Sequence, residues 1–184
     1  MHRTILGVVV TTLAIFIYGF LFWGVNTLPY EAWQQTPDDA AAQAMLREHF
    51  PTSGTYYIPG RQHSEADLLK LSEQGPVGFV QIDVDGKPAF EPAVMIGGLI
   101  LNLVFVCLLV GLFRITRATE FRDFARTSLV AGAAAVLLID GGNIVWWAAP
   151  VGWQIWPAIY NFTTFLIAGH LLGIFMKTKV TATL

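Results

Sequence analysis

The chain has 184 residues, of which 54% are hydrophobic and only 13% are charged, and its formal net charge is −2. Soluble domains carry about 25% charged residues, so this composition excludes an ordinary soluble domain and indicates a membrane protein. It also lacks the basic surface that binds nucleic acid, and we expect no nucleic-acid partner. Cys107 is the only cysteine, which excludes an intramolecular disulfide and dithiol redox chemistry.

Four apolar windows are long enough to cross a bilayer, which takes about 20 residues per helix. They are residues 5–23, 93–113, 128–147 and 155–176. The first window is longer than the apolar part of a typical secretory signal, and no small-residue cleavage motif follows it. We therefore interpret residues 1–25 as a retained transmembrane helix, and residues 93–184 as three further helices with a loop at 114–127.

The segment between the first two transmembrane helices, residues 26–92, predicts a small α+β insertion. Its expected elements are a helix with Thr36 as N-cap and Pro37 in its first turn, a strand at 55–58, a helix at 65–73 and a strand at 77–84. Two strands and two helices bury little apolar surface. We expect this insertion to rest on the membrane or on a partner protein.

The positions of lysine and arginine predict the orientation in the membrane. The loop at 114–127 contains four arginines, and Lys177 and Lys179 follow the last helix. Residues 24–92, in contrast, contain ten acidic and four basic residues. The pattern predicts that both termini and the loop are cytoplasmic and that the insertion is periplasmic.

One carboxylate, Asp140, lies inside the third apolar window. A charged side chain in hydrocarbon costs several kcal/mol, so such a residue normally faces a polar interior and is often functional. At 1.5 Å per residue, Asp140 lies about 10 Å below the outer end of its helix at Trp147. The same calculation for the other helices places Tyr18, Asn102 and Asn161 in one layer with Asp140. Asn143 lies nearer the membrane surface.

Two interpretations of this layer remain open. In the first, Asp140 binds a cation, a proton or a polar head group, and the neighbouring polar side chains orient it. In the second, the asparagines only hold Asp140 and fix the helix register. The candidate ligand-binding residues are Asp140, Asn143, Asn102, Asn161, Tyr18 and Trp147. Trp147 belongs either to an aromatic entrance above Asp140 or to an ordinary interfacial belt.

Two pairs of glycines predict close approach between helices or to a ligand. Gly141 and Gly142 follow Asp140 directly, and the pair is expected to admit another helix, a backbone or a ligand. Gly169 and Gly173 are spaced by four residues in the last helix. Their spacing is typical either of packing inside the bundle or of a dimer interface.

Two short motifs resemble those of a group of small uncharacterised bacterial inner-membrane proteins. They are Trp23 with the run 28–30 (Leu-Pro-Tyr), and the run 53–60 (Ser-Gly-Thr-Tyr-Tyr-Ile-Pro-Gly). This chain departs from the group at Tyr30, where tryptophan is usual. The resemblance implies a first helix, a short external α/β segment, three further helices and a bacterial inner membrane. It implies no activity and no catalytic residue.

These patterns together predict a mainly α protein: a four-helix transmembrane bundle with a small periplasmic α+β insertion between helices 1 and 2. No catalytic, phosphate-binding or metal-ligand motif is present in the sequence, and no cofactor is indicated. The first functional hypothesis is a non-catalytic accessory or assembly subunit that binds other membrane proteins. The alternative is a small transporter or a lipid- or quinone-binding protein centred on Asp140, and an enzyme comes third.

Overall fold

A computed structural model describes residues 2–88 and 90–178. The fold is mainly helical, with four long apolar helices and a small two-stranded sheet, as the sequence predicted. In chain order the elements are α1 (His2–Gly19), a π-helical turn (Phe20–Val25), a 3-10 turn (Leu28–Ala32), α2 (Asp39–His49), β1 (Gly54–Ile58), α3 (Glu65–Gln74), β2 (Gly78–Ile82), α4 (Pro92–Ile115), α5 (Phe121–Trp147) and α6 (Val151–Met176). Lys179, one of the cations used to predict orientation, lies outside the described residues.

The chain forms two compact units. The first contains the residues up to Trp33 and those from Glu91 onward, and the second is Gln34–Phe90. Four helices in the described part of the chain are long and apolar enough to span a membrane, and all four belong to the first unit: α1 with its π-helical extension, α4, α5 and α6.

The four long helices are arranged as an open series rather than a closed ring. α5 packs along α6, α6 packs along α1, and α1 packs along α4. α4 contacts α5 and α6 at few positions. One contact between α4 and α5 is made by Phe113 and Phe124, whose ring centroids are 4.9 Å apart near the short α4–α5 connection. Most of the buried apolar side chains lie toward this end of the bundle.

Glycines make the close contact between α5 and α6 possible. A Cβ added at Gly169 would lie 2.0 Å from Ser128 Oγ, and one at Gly132 would lie 2.7 Å from Phe165 Cβ. Gly173 likewise faces the ring of Phe121 and the Cβ of Phe124. Gly169 and Gly173 are therefore used for packing inside the bundle, one of the two interpretations of their spacing.

The expectation for Gly141 and Gly142 is wrong for helix packing. Among the described residues, a Cβ added at either position would lie within 4 Å of a single side chain, which belongs to α5 itself and is 3.8 Å away. Gly132, which lies two helical turns before Asp140, makes the close approach instead.

In the second unit, helix α2 begins later than expected. Asp38, rather than Thr36, is the N-cap, because the Asp38 carboxylate accepts a hydrogen bond of 3.0 Å from the backbone N–H of Ala41. The Thr36 hydroxyl donates to the Asp39 carboxylate instead. At α3 the expected cap is present, with Ser64 accepting from the N–H of Asp67 at 3.2 Å. β1 and β2 pair antiparallel, with Tyr57 opposite Phe79.

Candidate functional site

Asp140 is almost fully buried, with 3% of its surface exposed, and both of its carboxylate oxygens accept hydrogen bonds. Gln154 Nε2 donates to Asp140 Oδ1 at 2.9 Å. Asn161 Nδ2 donates to Oδ2 at 3.1 Å and more weakly to Oδ1 at 3.4 Å. A carboxylate between α5 and α6 is thus held by two neutral amides, both from α6.

The two amides reach the same carboxylate because they lie seven residues apart on α6. This spacing places side chains two turns apart on one helix face. Pro157 lies between them and lacks the N–H that would otherwise bond the carbonyl of Trp153. Gln154 was missed from the sequence because the helix was expected to begin at Ile155, whereas α6 begins at Val151 and includes it.

Next to Asp140 is a cavity of about 360 Å³ in the gap between α4 and α5. Its walls are mostly apolar, and its polar lining consists of Asn102 from α4, Asp140 from α5, and Tyr160, Asn161 and Thr164 from α6. Small-molecule sites typically have such a composition: apolar walls, a few convergent polar groups, and a volume of about 300–1,000 Å³.

Asn102 lies on the α4 side of this cavity and is half-buried. Within residues 2–88 and 90–178, its side-chain amide makes no hydrogen bond. Its amide atoms are partly accessible rather than fully buried, and a polar group that faces apolar surroundings normally has a partner, because an unmade hydrogen bond there is costly. Asn102 therefore offers one donor group and one acceptor to a molecule in the cavity.

A second cavity, of about 410 Å³, lies between α1 and α4. It shares Leu101, Asn102 and Tyr160 with the first, so Asn102 lies where the two meet. The π-helical turn Phe20–Val25 forms one wall through Phe20, Trp23 and Gly24. Turns of this type are rare and often occur at functional sites.

Tyr18 does not bond to Asp140. Its hydroxyl pairs with the hydroxyl of Thr163, and its ring stacks on Tyr160 with centroids 5.4 Å apart and an interplanar angle of 9°. Tyr18 thus supports Tyr160, which lines both cavities, from the α1 side. Its role is to position a lining residue rather than to line the site.

Asn143 and Trp147 are on α5 beyond Asp140, and neither lines the two cavities. Trp147 is 55% exposed. Three other tryptophans form an aromatic cluster between the π-helical turn, the residue after the 3-10 turn and the start of α6: Trp153 lies 5.9 Å from Trp23 and 5.4 Å from Trp33, measured between ring centroids. Of the six candidate residues, the structure brings together Asp140, Asn161 and Asn102.

Among the described residues, the first cavity is lined by one ionisable side chain, Asp140, and by no basic residue. A ligand that complements it presents hydrogen-bond donors or positive charge to the carboxylate and apolar surface to the walls. Within the described ranges, no group of three His, Cys, Asp or Glu side chains is close enough to hold a metal ion.

Comparisons with known proteins identify no relative: no family model, no curated protein and no solved structure matches the chain.

Proposed function

We propose that this protein binds a lipophilic molecule with a hydrogen-bond-donating polar end, such as a quinol or a lipid alcohol, in the cavity between α4 and α5. The observation that carries the proposal is the unpaired amide of Asn102 on the α4 side of an apolar cavity that also contains the Asp140 carboxylate. The polar end would bond to these two side chains, and its apolar part would contact Phe105, Ile139 and Phe165.

The alternative role of Asp140, fixing helix register, explains only part of this arrangement. It accounts for the hydrogen bonds from Gln154 and Asn161, which link α5 to α6. It does not account for Asn102, which lies on α4, or for the open cavity that Asp140 and Asn102 both line. The second cavity, which shares Asn102, offers an apolar path for the tail of the same molecule.

The substitution Asn102→Leu tests the polar contact directly. We expect it to weaken binding of decylubiquinol or of a long-chain alcohol about ten-fold, the effect of losing one hydrogen bond in an apolar site. Thermal stability should stay near that of the wild type, because the Asn102 side chain makes no hydrogen bond to another described residue that the change could remove. Native mass spectrometry in detergent gives both the affinity and the stoichiometry.

Asn143→Leu is the matched control, because it makes the same change at a half-buried asparagine that lines neither cavity. Its binding should equal that of the wild type. Equal affinities for the Asn102 and Asn143 variants, or a wild-type protein that takes up neither probe, would contradict the proposal.

We also propose a bacterial inner membrane, with both termini cytoplasmic and residues 26–92 periplasmic. The support is the charge asymmetry between the arginine-rich 114–127 connection and the acidic 24–92 segment. Alkaline phosphatase fused after Leu184 should be inactive, and the same enzyme inserted after Gly60 should be active. The reverse pattern of activity would overturn this orientation.

A second candidate function, an accessory or assembly subunit, is favoured by the second unit. α2 and α3 contain no buried residue, and large apolar side chains remain exposed: Met45 at 55%, Leu69 at 60% and Val77 at 51%. Apolar surface of this kind commonly marks a site of protein interaction. A partner subunit that covers it would explain how so small a unit is stabilised.

A further inference from the structure

A third cavity, of about 490 Å³, is a groove between α1 and α4 at the opposite end of these helices from the Asn102 cavities. Its α4 side is a single helix face formed by Leu103, Cys107, Val110 and Arg114, and its α1 side runs from Thr4 to Val9. The spacing of three or four residues along α4 makes this face continuous. Apart from Cys107, the lining is aliphatic except at the end that carries Arg114 and Thr4.

The length of this groove matches one leaflet of a membrane. From Arg114 to Leu103 the rise along α4 is about 16 Å, and half of the hydrocarbon core of a bilayer is about 15 Å. Arg114 lies in the last turn of α4, where the span ends. A lipid lying in the groove would therefore place its phosphate beside Arg114 and an acyl chain against Cys107 and Leu103.

The charged end of the groove is formed by Arg114. Arg114 makes no ion pair with any residue in the described ranges, whereas Arg122 on α5 pairs with Glu120 at 2.8 Å. A guanidinium group binds a phosphate diester through two parallel hydrogen bonds and holds it more specifically than a diffuse positive surface does.

We propose that the α1–α4 groove binds an anionic phospholipid, with its phosphate on Arg114 and one acyl chain along the aliphatic lining. The aliphatic length of the groove favours a lipid over free phosphate, and the unpaired arginine favours an anionic over a zwitterionic head group. This site is separate from the Asp140 cavity and does not depend on the function proposed for it.

The test compares phosphatidylglycerol with phosphatidylcholine of the same acyl chains, each added to the purified full-length protein in detergent. Native mass spectrometry should show about ten-fold tighter binding of phosphatidylglycerol, and Arg114→Gln should abolish that preference. Arg126→Gln is the matched control: it removes an exposed charge that also makes no ion pair among the described residues, but it lies on α5, away from the groove. It should keep the preference.

Cys107 provides a second, site-resolved readout, because it is the only cysteine and it lines the groove. Phosphatidylglycerol should slow the reaction of Cys107 with N-ethylmaleimide several-fold in the wild type and in Arg126→Gln, but not in Arg114→Gln. Equal binding of the two lipids by the wild type would overturn the proposal. An equal loss of preference in both arginine variants would also overturn it, because it would indicate general charge attraction rather than a site.

Discussion

Replacing Asp140 with leucine should destabilise the bundle by about 2–4 kcal/mol, because the change leaves the buried amide of Gln154 and the half-buried amide of Asn161 without an acceptor. Asp140→Asn should cost much less, since its amide oxygen still accepts from one of them. The measurement is the free energy of unfolding of each variant in matched detergent, with circular dichroism as the probe of unfolding.

The same two variants separate the structural role of Asp140 from its role in binding. If the carboxylate holds a donor of the ligand, Asp140→Asn should bind decylubiquinol about ten-fold more weakly while remaining folded. Unchanged binding in Asp140→Asn would show that the charge of Asp140 does not contribute to binding and that the residue only fixes helix register. Wild-type stability in Asp140→Leu would show that the two amide hydrogen bonds contribute nothing.

Gly169→Ala should be the most disruptive single-methyl change in the bundle. The new Cβ would lie 2.0 Å from Ser128 Oγ and 2.4 Å from Ser128 Cβ, so α5 and α6 must separate. Overpacking of this kind costs about 1–3 kcal/mol and sometimes more. Chemical unfolding in detergent measures the loss.

Two further variants make the prediction for Gly169 specific. Gly111→Ala on α4 is the control, because no atom of the described residues beyond its own helical neighbours lies within 4 Å of its added Cβ. It should be neutral or stabilising by up to about 1 kcal/mol, since alanine is the better helix former. Adding Ser128→Gly to Gly169→Ala removes the clashing side chain and should recover most of the loss. A Gly169→Ala protein as stable as Gly111→Ala would contradict the described α5–α6 contact.

The helices could be predicted from sequence because their signal is local. Each of the four apolar windows is longer than the apolar run of a helix in a soluble core, and all four are long helices in the structure. Their ends were harder to place. α5 begins at Phe121 rather than Ser128, since its first turns are polar but are capped by Glu120 and Asp123. Such caps depend on individual hydrogen bonds that hydropathy does not register.

The site could be predicted only in part. Asp140 stood out because a carboxylate is rare in an apolar span, and the depth estimate grouped it correctly with Asn161. Depth alone does not say which face of a helix a residue occupies, so it also grouped Tyr18, which faces Thr163 and Tyr160 instead. The seven-residue spacing of Gln154 and Asn161 was the available signal for the missing amide.

The arrangement of the helices was beyond the reach of sequence reasoning. Nothing in the hydropathy pattern indicates that α4 packs on α1 and leaves a gap toward α5. Close approach is determined by pairs of residues on different helices, such as Gly169 with Ser128 or Gly132 with Phe165. For the same reason the glycines next to Asp140, although conspicuous in the sequence, were the wrong ones to choose.

The central claim is that the cavity beside Asp140 holds a lipophilic molecule, and purification of the tagged native protein in mild detergent tests it most directly. Mass spectrometry would identify everything that remains bound. We predict a near-stoichiometric lipophilic molecule with a hydroxyl or amine group, present in the wild type and depleted in Asn102→Leu. A wild-type protein that carries no such molecule and instead retains other membrane subunits in fixed ratio would contradict the claim and favour the accessory role.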